Sequence, residues 1–390
     1  MVASLSNLAG YLLLFTLFCS VFFTGSINTY QLLAGISILT LTLMMVCRKK
    51  ISYKKLNVNR SIVIFIGAIF ITFLTSVNRG ESIKYLLIWL TVFFEVLVVK
   101  SGSKYKKKIY NAFFFFCMIE CFSITFQYMF PEKSISFFSI ILSNQTITNM
   151  MDAYSLHNAC TGLAGSQPFA MFYAYCLFSM GILRCLKKFN VINIFVVVFS
   201  CVNLLLSGKR SAIVITVIAL LYVGLFIFQK NREVSRKWKI ILIVLITVGG
   251  YLLLNTSIGS SLLEKNRTLI DNGDISNGRF FLFEEMFKIF VSRPITGIGP
   301  LSTFSYYNDY LGHNVYLQVL CEMGVIGFIA LLYMLISGLK YRINVLKRKN
   351  ATDFDFLALF IQLFIIIYGF FGNPIFSYVF IIPYILFSAD

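Results

Sequence analysis

Lys209, Arg210, Arg279, Arg293 and His313 are the residues whose types and settings in this 390-residue sequence best suit chemistry on an anion. Lys209 and Arg210 stand side by side in Ser207-Gly208-Lys209-Arg210-Ser211, between two apolar runs. A guanidinium fork matches phosphate oxygens, and the amides of a tight turn add donors. Arg279 opens the stretch Gly278 to Val291, which puts Phe280, Phe283, Phe287 and Phe290/Val291 on one helical face. A cation in a first helical turn opposes the helix dipole, so its placement there points to an anionic partner. Arg293 begins Arg293-Pro294-Ile295-Thr296-Gly297-Ile298-Gly299-Pro300, a glycine-punctuated turn. His313-Asn314 then enters an apolar run that holds Glu322, about 13 Å further along a helix. An imidazole with an ordinary pKa near about 6.5 suits proton transfer. Each feature also has a structural reading: basic side chains snorkelling to headgroups, a hydrogen-bonding interfacial histidine, and an acid bonded to a neighbouring helix. His157 lacks a supporting motif and reads as structural, Glu95 lies near Lys100, and Glu120 has no evident partner.

These residues need elements to hold them, and composition says which. Hydrophobic residues make up 58% of the chain and charged residues 13%, yet the net charge is +18. Ordinary soluble domains carry roughly 25% charged residues. The contrast excludes a soluble enzyme, a disulfide scaffold and a disordered chain, and predicts an all-α polytopic membrane protein. Spans of about 20 apolar residues are expected at 6–24, 29–47, 61–77, 84–99, 109–130, 168–183, 190–206, 211–228, 240–257, 314–338, 354–371 and 374–388. The run from Leu8 to Phe23 has no Lys or Arg before it, so it reads as a span and not a cleaved signal. The whole chain, 1–390, reads as one integral membrane domain.

Asn190 to Phe228 would extend about 58 Å as one helix, nearly twice a bilayer core of about 30 Å. It must fold as a hairpin with its tip at 207–210. Basic clusters flank both ends of that hairpin, which puts the ends in the cytoplasm and the tip outside. Alternating the other loops from there places 24 of the 34 Lys and Arg inside and 10 outside, with both termini cytoplasmic. The basic character is therefore mostly a topology signal, and no nucleic-acid partner is expected. Residues 258–313 form a long extracytoplasmic loop between the ninth and tenth spans, carrying the amphipathic helix, capped by Ser276 or Asn277, at the membrane surface or over a cavity mouth.

Nine cysteines lie almost entirely in apolar runs with no C-x-x-C pair, which suits small apolar residues better than a metal site. Walker A, G-x-G-x-x-G and H-E-x-x-H motifs are absent, as is an outer-loop D-x-D. No cofactor and no metal are expected.

Arg210 in its short outer hairpin resembles the S-x-S-R-type motif of the O-antigen ligase superfamily. Arg279, Pro294-x-x-Gly297-x-Gly299 and His313-Asn314-x-Tyr316-Leu317-x-x-Leu320-x-Glu322-x-Gly324-x-x-Gly327 resemble the same group's long-loop signature. Lys209 replaces the middle serine of the arginine motif, and Phe283 stands where a tryptophan is frequent. The likeness is greatest to Wzy-type polymerases of O-antigen, capsule or exopolysaccharide repeat units. It implies metal-independent glycosyl transfer between undecaprenyl-pyrophosphate-linked oligosaccharides on the outer face of the plasma (inner) membrane, with a chain-length regulator and a flippase as partners. His313, Arg210 and Arg279 would be catalytic. Lys209, Arg293, Asn314, Tyr306, Tyr307 and Glu322 would bind substrate, the two tyrosines by stacking on sugars, and the phenylalanine helix would admit the lipid tail. A ligase that hands glycan to another acceptor would use much the same residues. A lipid-linked oligosaccharide flippase would place polar sites in two matched halves, which are not evident here. A cell-wall glycan polymerase would rely instead on Asp271, Asp274, Glu284 or Glu285.

Overall fold

The computed structural model describes residues 57–98, 103–228, 279–305, 312–348 and 351–387, with Phe15, Gly35 and Arg236 singly. Among the described residues every regular element is helical. The first group is α1 (Asn57–Leu74), α2 (Arg79–Val98), α3 (Ser103–Met129), α4 (Pro131–Phe138) and α5 (Asn144–His157). Next come α6 (Gln167–Lys187), α7 (Val191–Leu206), α8 (Ser211–Phe228) and α9 (Arg279–Ser292). The chain finishes with α10 (Val315–Leu346), α11 (Asp353–Tyr368) and α12 (Tyr378–Leu386). Nine of these coincide with expected spans. The expected spans 6–24, 29–47 and 240–257 lie outside the described residues, as do 258–278 and 306–311 of the long loop. By length and composition Lys106–Met129, Gln167–Lys187 and Val315–Leu346 suffice to cross a membrane, and Arg60–Leu74, Val191–Leu206 and Ser211–Gly224 are shorter apolar helices.

A helix that is apolar on every side belongs inside others, and α6 is buried along nearly its whole length. Its Gly181 lets α7 approach, because a Cβ there would lie 3.1 Å from Val196 and Val197 side chains. On the other side Phe172 packs edge-on against Phe364 of α11 and Phe380 of α12, at 4.9 and 5.1 Å between centroids. The Tyr175 hydroxyl donates to the Phe360 carbonyl at 2.9 Å, which satisfies a phenol that would otherwise be stranded in the core.

The bundle has two chemically distinct ends. At one, Lys187 meets Asp353 at 2.9 Å and Lys106 approaches Asp355 at 3.8 Å. Thr352 and Asp355 form a capping box at the start of α11. At the other, Val77 N–H donates to the Ile298 carbonyl, Cys160 N–H to Leu206 and Val315 N–H to Gly369. Loops assigned by alternation to one side thus gather at one end. The hairpin is as the length arithmetic requires: α7 ends at Leu206, α8 begins at Ser211, and 207–210 is the turn.

Three expectations need correction or completion. The span at 314–338 is one part of a longer helix, and it is broken at Gly324 (φ 60°, ψ −162°). The 22 residues beyond the break are about 33 Å long, the thickness of a bilayer core. The amphipathic helix is present as α9, but its packed side is centred on buried Met286 with Ile289, while Phe280, Phe287 and Val291 are exposed. The residues proposed to cap it lie outside the described residues.

Glu120, unpaired in the sequence, has a structural partner. Glu120, Ser123 and Gln127 form a stripe on α3 at i, i+3 and i+7. They accept the backbone N–H groups of Ala164 at 3.1 Å, Leu163 at 2.9 Å, and Thr161 and Gly162 at 2.8 and 2.9 Å. Buried amides need such acceptors, and the stripe pins the short 3-10 turn Gly162–Ala164 into the bundle. The side chain of Glu95 lies outside the described residues, so its pairing with Lys100 does too.

Candidate functional site

The hairpin tip is held from beneath by the loop that follows α5. Gly208 adopts φ 67°, and a Cβ on it would come within 2.5 Å of the Ala159 Cβ. Only glycine tolerates both demands without cost. The Cys160 N–H to Leu206 carbonyl bond, 2.8 Å, ties the same loop to the end of α7. Lys209 and Arg210 are therefore carried on a short turn that is buttressed on its inner side, with the Arg210 side chain exposed.

Arg279 reaches the same region from α9, of which it is the first residue. Past the helix, Pro294 to Thr303 crosses the break in α10 backbone against backbone. Ile298 N–H and Gly299 N–H donate to the Cys321 and Glu322 carbonyls, at 3.3 and 2.7 Å. In return Val325 N–H and Ile326 N–H donate to the Pro294 and Ile295 carbonyls, at 2.9 and 3.3 Å. Gly297 (φ 65°) and Gly324 make the crossing possible, since a Cβ on either would overlap the opposing backbone.

The Glu322 carboxylate, fully buried, locks the same segment from the side. It accepts from Leu301 N–H at 2.8 Å, Thr303 N–H at 3.3 Å, the Thr303 hydroxyl, and the Gln318 amide at 3.2 Å. Ser82 adds a further tie from α2, donating to the Pro300 carbonyl at 2.6 Å. Asn314 caps α10, its Oδ1 accepting from Tyr316 N–H and Leu317 N–H, both at 3.1 Å. His313, just before that cap, adopts φ 51°. An αL conformation is uncommon outside glycine, asparagine and aspartate, and it turns the chain sharply as it enters α10.

These placements bring Lys209, Arg210, Arg279 and His313 into one electrostatic neighbourhood. Desolvation by the surrounding protein, then the charges of Arg279 and Lys209, push the His313 pKa down from 6.5 to about 4. The imidazole keeps an open surface and is neutral at neutral pH. Burial lowers the Arg279 pKa, Tyr368 acts in the opposite sense, and the Arg210 charge lowers it further. Cations packed so that each disfavours its neighbours' charge make a site that is stabilised by an arriving anion.

The other expected site residues divide. Arg293 is exposed at the end of α9. The acceptor oxygen of Asn314 is used in capping, and Glu322 faces the loop backbone, so both position the site through neighbours. Tyr306 and Tyr307 lie outside the described residues, as do Asp271 and Asp274. Glu284 and Glu285 both pair with Lys288 on their own helix, at 3.0 and 2.8 Å. Among the described residues no group of three or more His, Cys, Asp or Glu could hold a metal ion. Tyr368, at the end of α11, escaped sequence reasoning because nothing marks an aromatic residue that closes an apolar helix.

Residues 195–332 match the family model described as O-antigen ligase. The matched stretch begins within α7 and ends within α10, so it contains Lys209, Arg210, Arg279, Arg293, His313 and Glu322. It supports the O-antigen ligase superfamily, a group of membrane glycan transferases of ligase and polymerase type, without separating the two branches. No curated protein matches the chain.

Proposed function

We propose that the protein is a polysaccharide polymerase that joins undecaprenyl-pyrophosphate-linked oligosaccharide repeat units on the outer face of the plasma membrane. The observation that carries this reading is the electrostatic meeting of Arg279 with Arg210, and of His313 with Arg279 and Lys209. In the proposed reaction the acceptor hydroxyl oxygen bonds to the anomeric carbon of the donor glycan. The bond from that carbon to the pyrophosphate oxygen breaks, and the electron pair leaves with the diphosphate. Arg210 and Arg279, with Lys209 beside them, stabilise the departing charge. The hydroxyl proton passes to His313, a neutral imidazole in the empty site. Bound diphosphate offsets the neighbouring cations and raises the His313 pKa toward its ordinary value, so the base strengthens as substrate arrives.

In this reading α9 lies at the membrane surface with its exposed phenylalanines toward lipid, both chain termini are cytoplasmic, and neither metal nor cofactor takes part. A flippase supplies the lipid-linked unit and a regulator sets chain length. The description of the matching family favours a second reading, a ligase that moves the assembled glycan to a different acceptor. The test is purified protein in proteoliposomes with lipid-linked repeat units and EDTA. Longer lipid-linked glycan supports polymerase, transfer only to an added lipid A–core acceptor supports ligase, and transbilayer movement without new linkage overturns both. Arg210→Ala, Arg279→Ala and His313→Ala should each abolish product while the protein stays in the membrane fraction. Full activity in all three sinks the site assignment.

A further inference from the structure

The end of α11 is stitched to the start of α10, next to His313. Val315 N–H donates to the Gly369 carbonyl at 2.8 Å, and the Tyr316 hydroxyl donates to the Ile366 carbonyl at 2.7 Å. Tyr368 lies between those two tie points. Its ring packs with Phe364 and Phe380, at 5.2 and 5.8 Å between centroids, and only 5% of the residue is exposed. A Cβ on Gly372 would stand 2.5 Å from the Tyr368 hydroxyl oxygen, so the glycine keeps the space that the phenol tip occupies. Tyr368 and Arg279 lie near enough that a charge on one would be felt by the other. Among the described residues no hydrogen bond of the Tyr368 hydroxyl is found, and its oxygen is not one of the sealed polar atoms of the bundle, so the ring is enclosed while the tip stays open to a partner.

We propose that the Tyr368 hydroxyl is a further ligand of the anion site, donating a hydrogen bond to a phosphate oxygen of the diphosphate held by Arg279. The proposal rests on the function proposed above. A neutral donor has a specific advantage here. Lys209, Arg210 and Arg279 already repel one another, and a phenol adds a bond to the anion without adding charge to the empty site. Its ring is fixed by the aromatic cluster, so little side-chain freedom is lost on binding. Gly372 then serves as the residue that keeps this donor in register with Arg279.

The test uses the full-length protein in phosphatidylcholine nanodiscs, where no anionic headgroup competes, with inorganic pyrophosphate as probe. Tyr368→Phe keeps the ring packing and removes only the donor. Loss of a hydrogen bond to a charged group should weaken pyrophosphate binding by about 10-fold or more, with an unchanged melting temperature. Gly372→Ala keeps the phenol and displaces it, and should weaken binding in the same direction. KM for the lipid-linked donor should rise in both variants. Wild-type binding with equal affinity in Tyr368→Phe overturns the role of Tyr368 and leaves the proposed function intact. A wild-type protein that elongates glycan but binds no pyrophosphate also overturns it. A wild-type protein that neither binds pyrophosphate nor elongates glycan overturns the functional reading and this proposal with it.

Discussion

Replacing Arg279 with glutamine removes one of the two cations that act on His313 and leaves the rest of its surroundings in place. In the intact protein that imidazole has a pKa of about 4 against an ordinary 6.5, with desolvation the largest cause, Arg279 next and Lys209 third. Arg279→Gln should therefore raise the pKa, but to a value still below 6.5, because the largest cause persists. Lys209→Gln should act in the same sense and less, and the double variant should still fall short of 6.5. Arg210 and Tyr368 act on Arg279 and are not among the causes of the His313 shift, so their substitution should move it little. The chain has two histidines, so a His157→Gln background leaves one imidazole whose NMR shifts can be followed against pH in nanodiscs. The neutral form is the base, so activity is lost as pH falls through the relevant pKa. For the free protein that is about 4, and kcat/KM should hold down to about pH 5 before declining. The acid limb of kcat reports the substrate complex and should lie at higher pH, because the bound diphosphate offsets the cations. The depressed value also means that the unfolded chain takes up the extra proton first. Stability should fall as pH drops from about 6.5 toward 4. A His313 that titrates at 6.5 in the His157→Gln protein, or that ignores Arg279→Gln, refutes the reasoning.

Gly208→Ala forces a side chain into a left-handed turn, at about 1–2 kcal/mol, and presses on Ala159; glycan synthesis should drop sharply with the protein still membrane-inserted, by gel and fractionation. Glu322→Ala leaves buried donors of Leu301, Thr303 and Gln318 without their acceptor, at about 1–3 kcal/mol each. It should lower the melting temperature and expose 294–303 to limited proteolysis. Glu120→Gln retains a carbonyl oxygen for Ala164 N–H and should be milder than Glu120→Ala, compared by thermal unfolding in one detergent. Lys187→Ala breaks an ion pair whose lysine is largely exposed and should change stability by less than about 1 kcal/mol, making it the control for the others.

Much of this was legible wherever a length or a turn residue constrained the chain. The 207–210 turn follows from a run too long for one crossing, and Pro294 marks the end of α9. The union of Arg210, Arg279 and His313 was legible only as resemblance, because their spacing in sequence carries no distance. What packing decides was harder to read. Phenylalanines occupy several sides of α9, so periodicity alone could not select the Met286 side as the one that faces protein. Gly324 sits in an apolar run that a continuous helix would also tolerate, so its left-handed backbone left no trace. Glu120 did leave a signal in its i, i+3, i+7 stripe with Ser123 and Gln127, but its partners are backbone amides some forty residues away, which no pattern of side chains announces.

The crossing at Gly324 also bears on how the chain is assembled. In an unbroken helix Val325 N–H would pair with the Cys321 carbonyl and Ile326 N–H with the Glu322 carbonyl. Those are the four groups that bond instead to Pro294, Ile295, Ile298 and Gly299. The helix therefore has two complete solutions for the same donors and acceptors: one closed on itself, the other open around its neighbour. During synthesis 315–346 can enter the bilayer in the closed form with no backbone group stranded at the crossing, while the Glu322 carboxylate still awaits its Leu301 and Thr303 donors. The later docking of 294–303 then exchanges two bonds within the helix for four across the crossing. Insertion and site formation become separable events, and a chain whose loop fails to dock keeps its helix while the site stays unassembled.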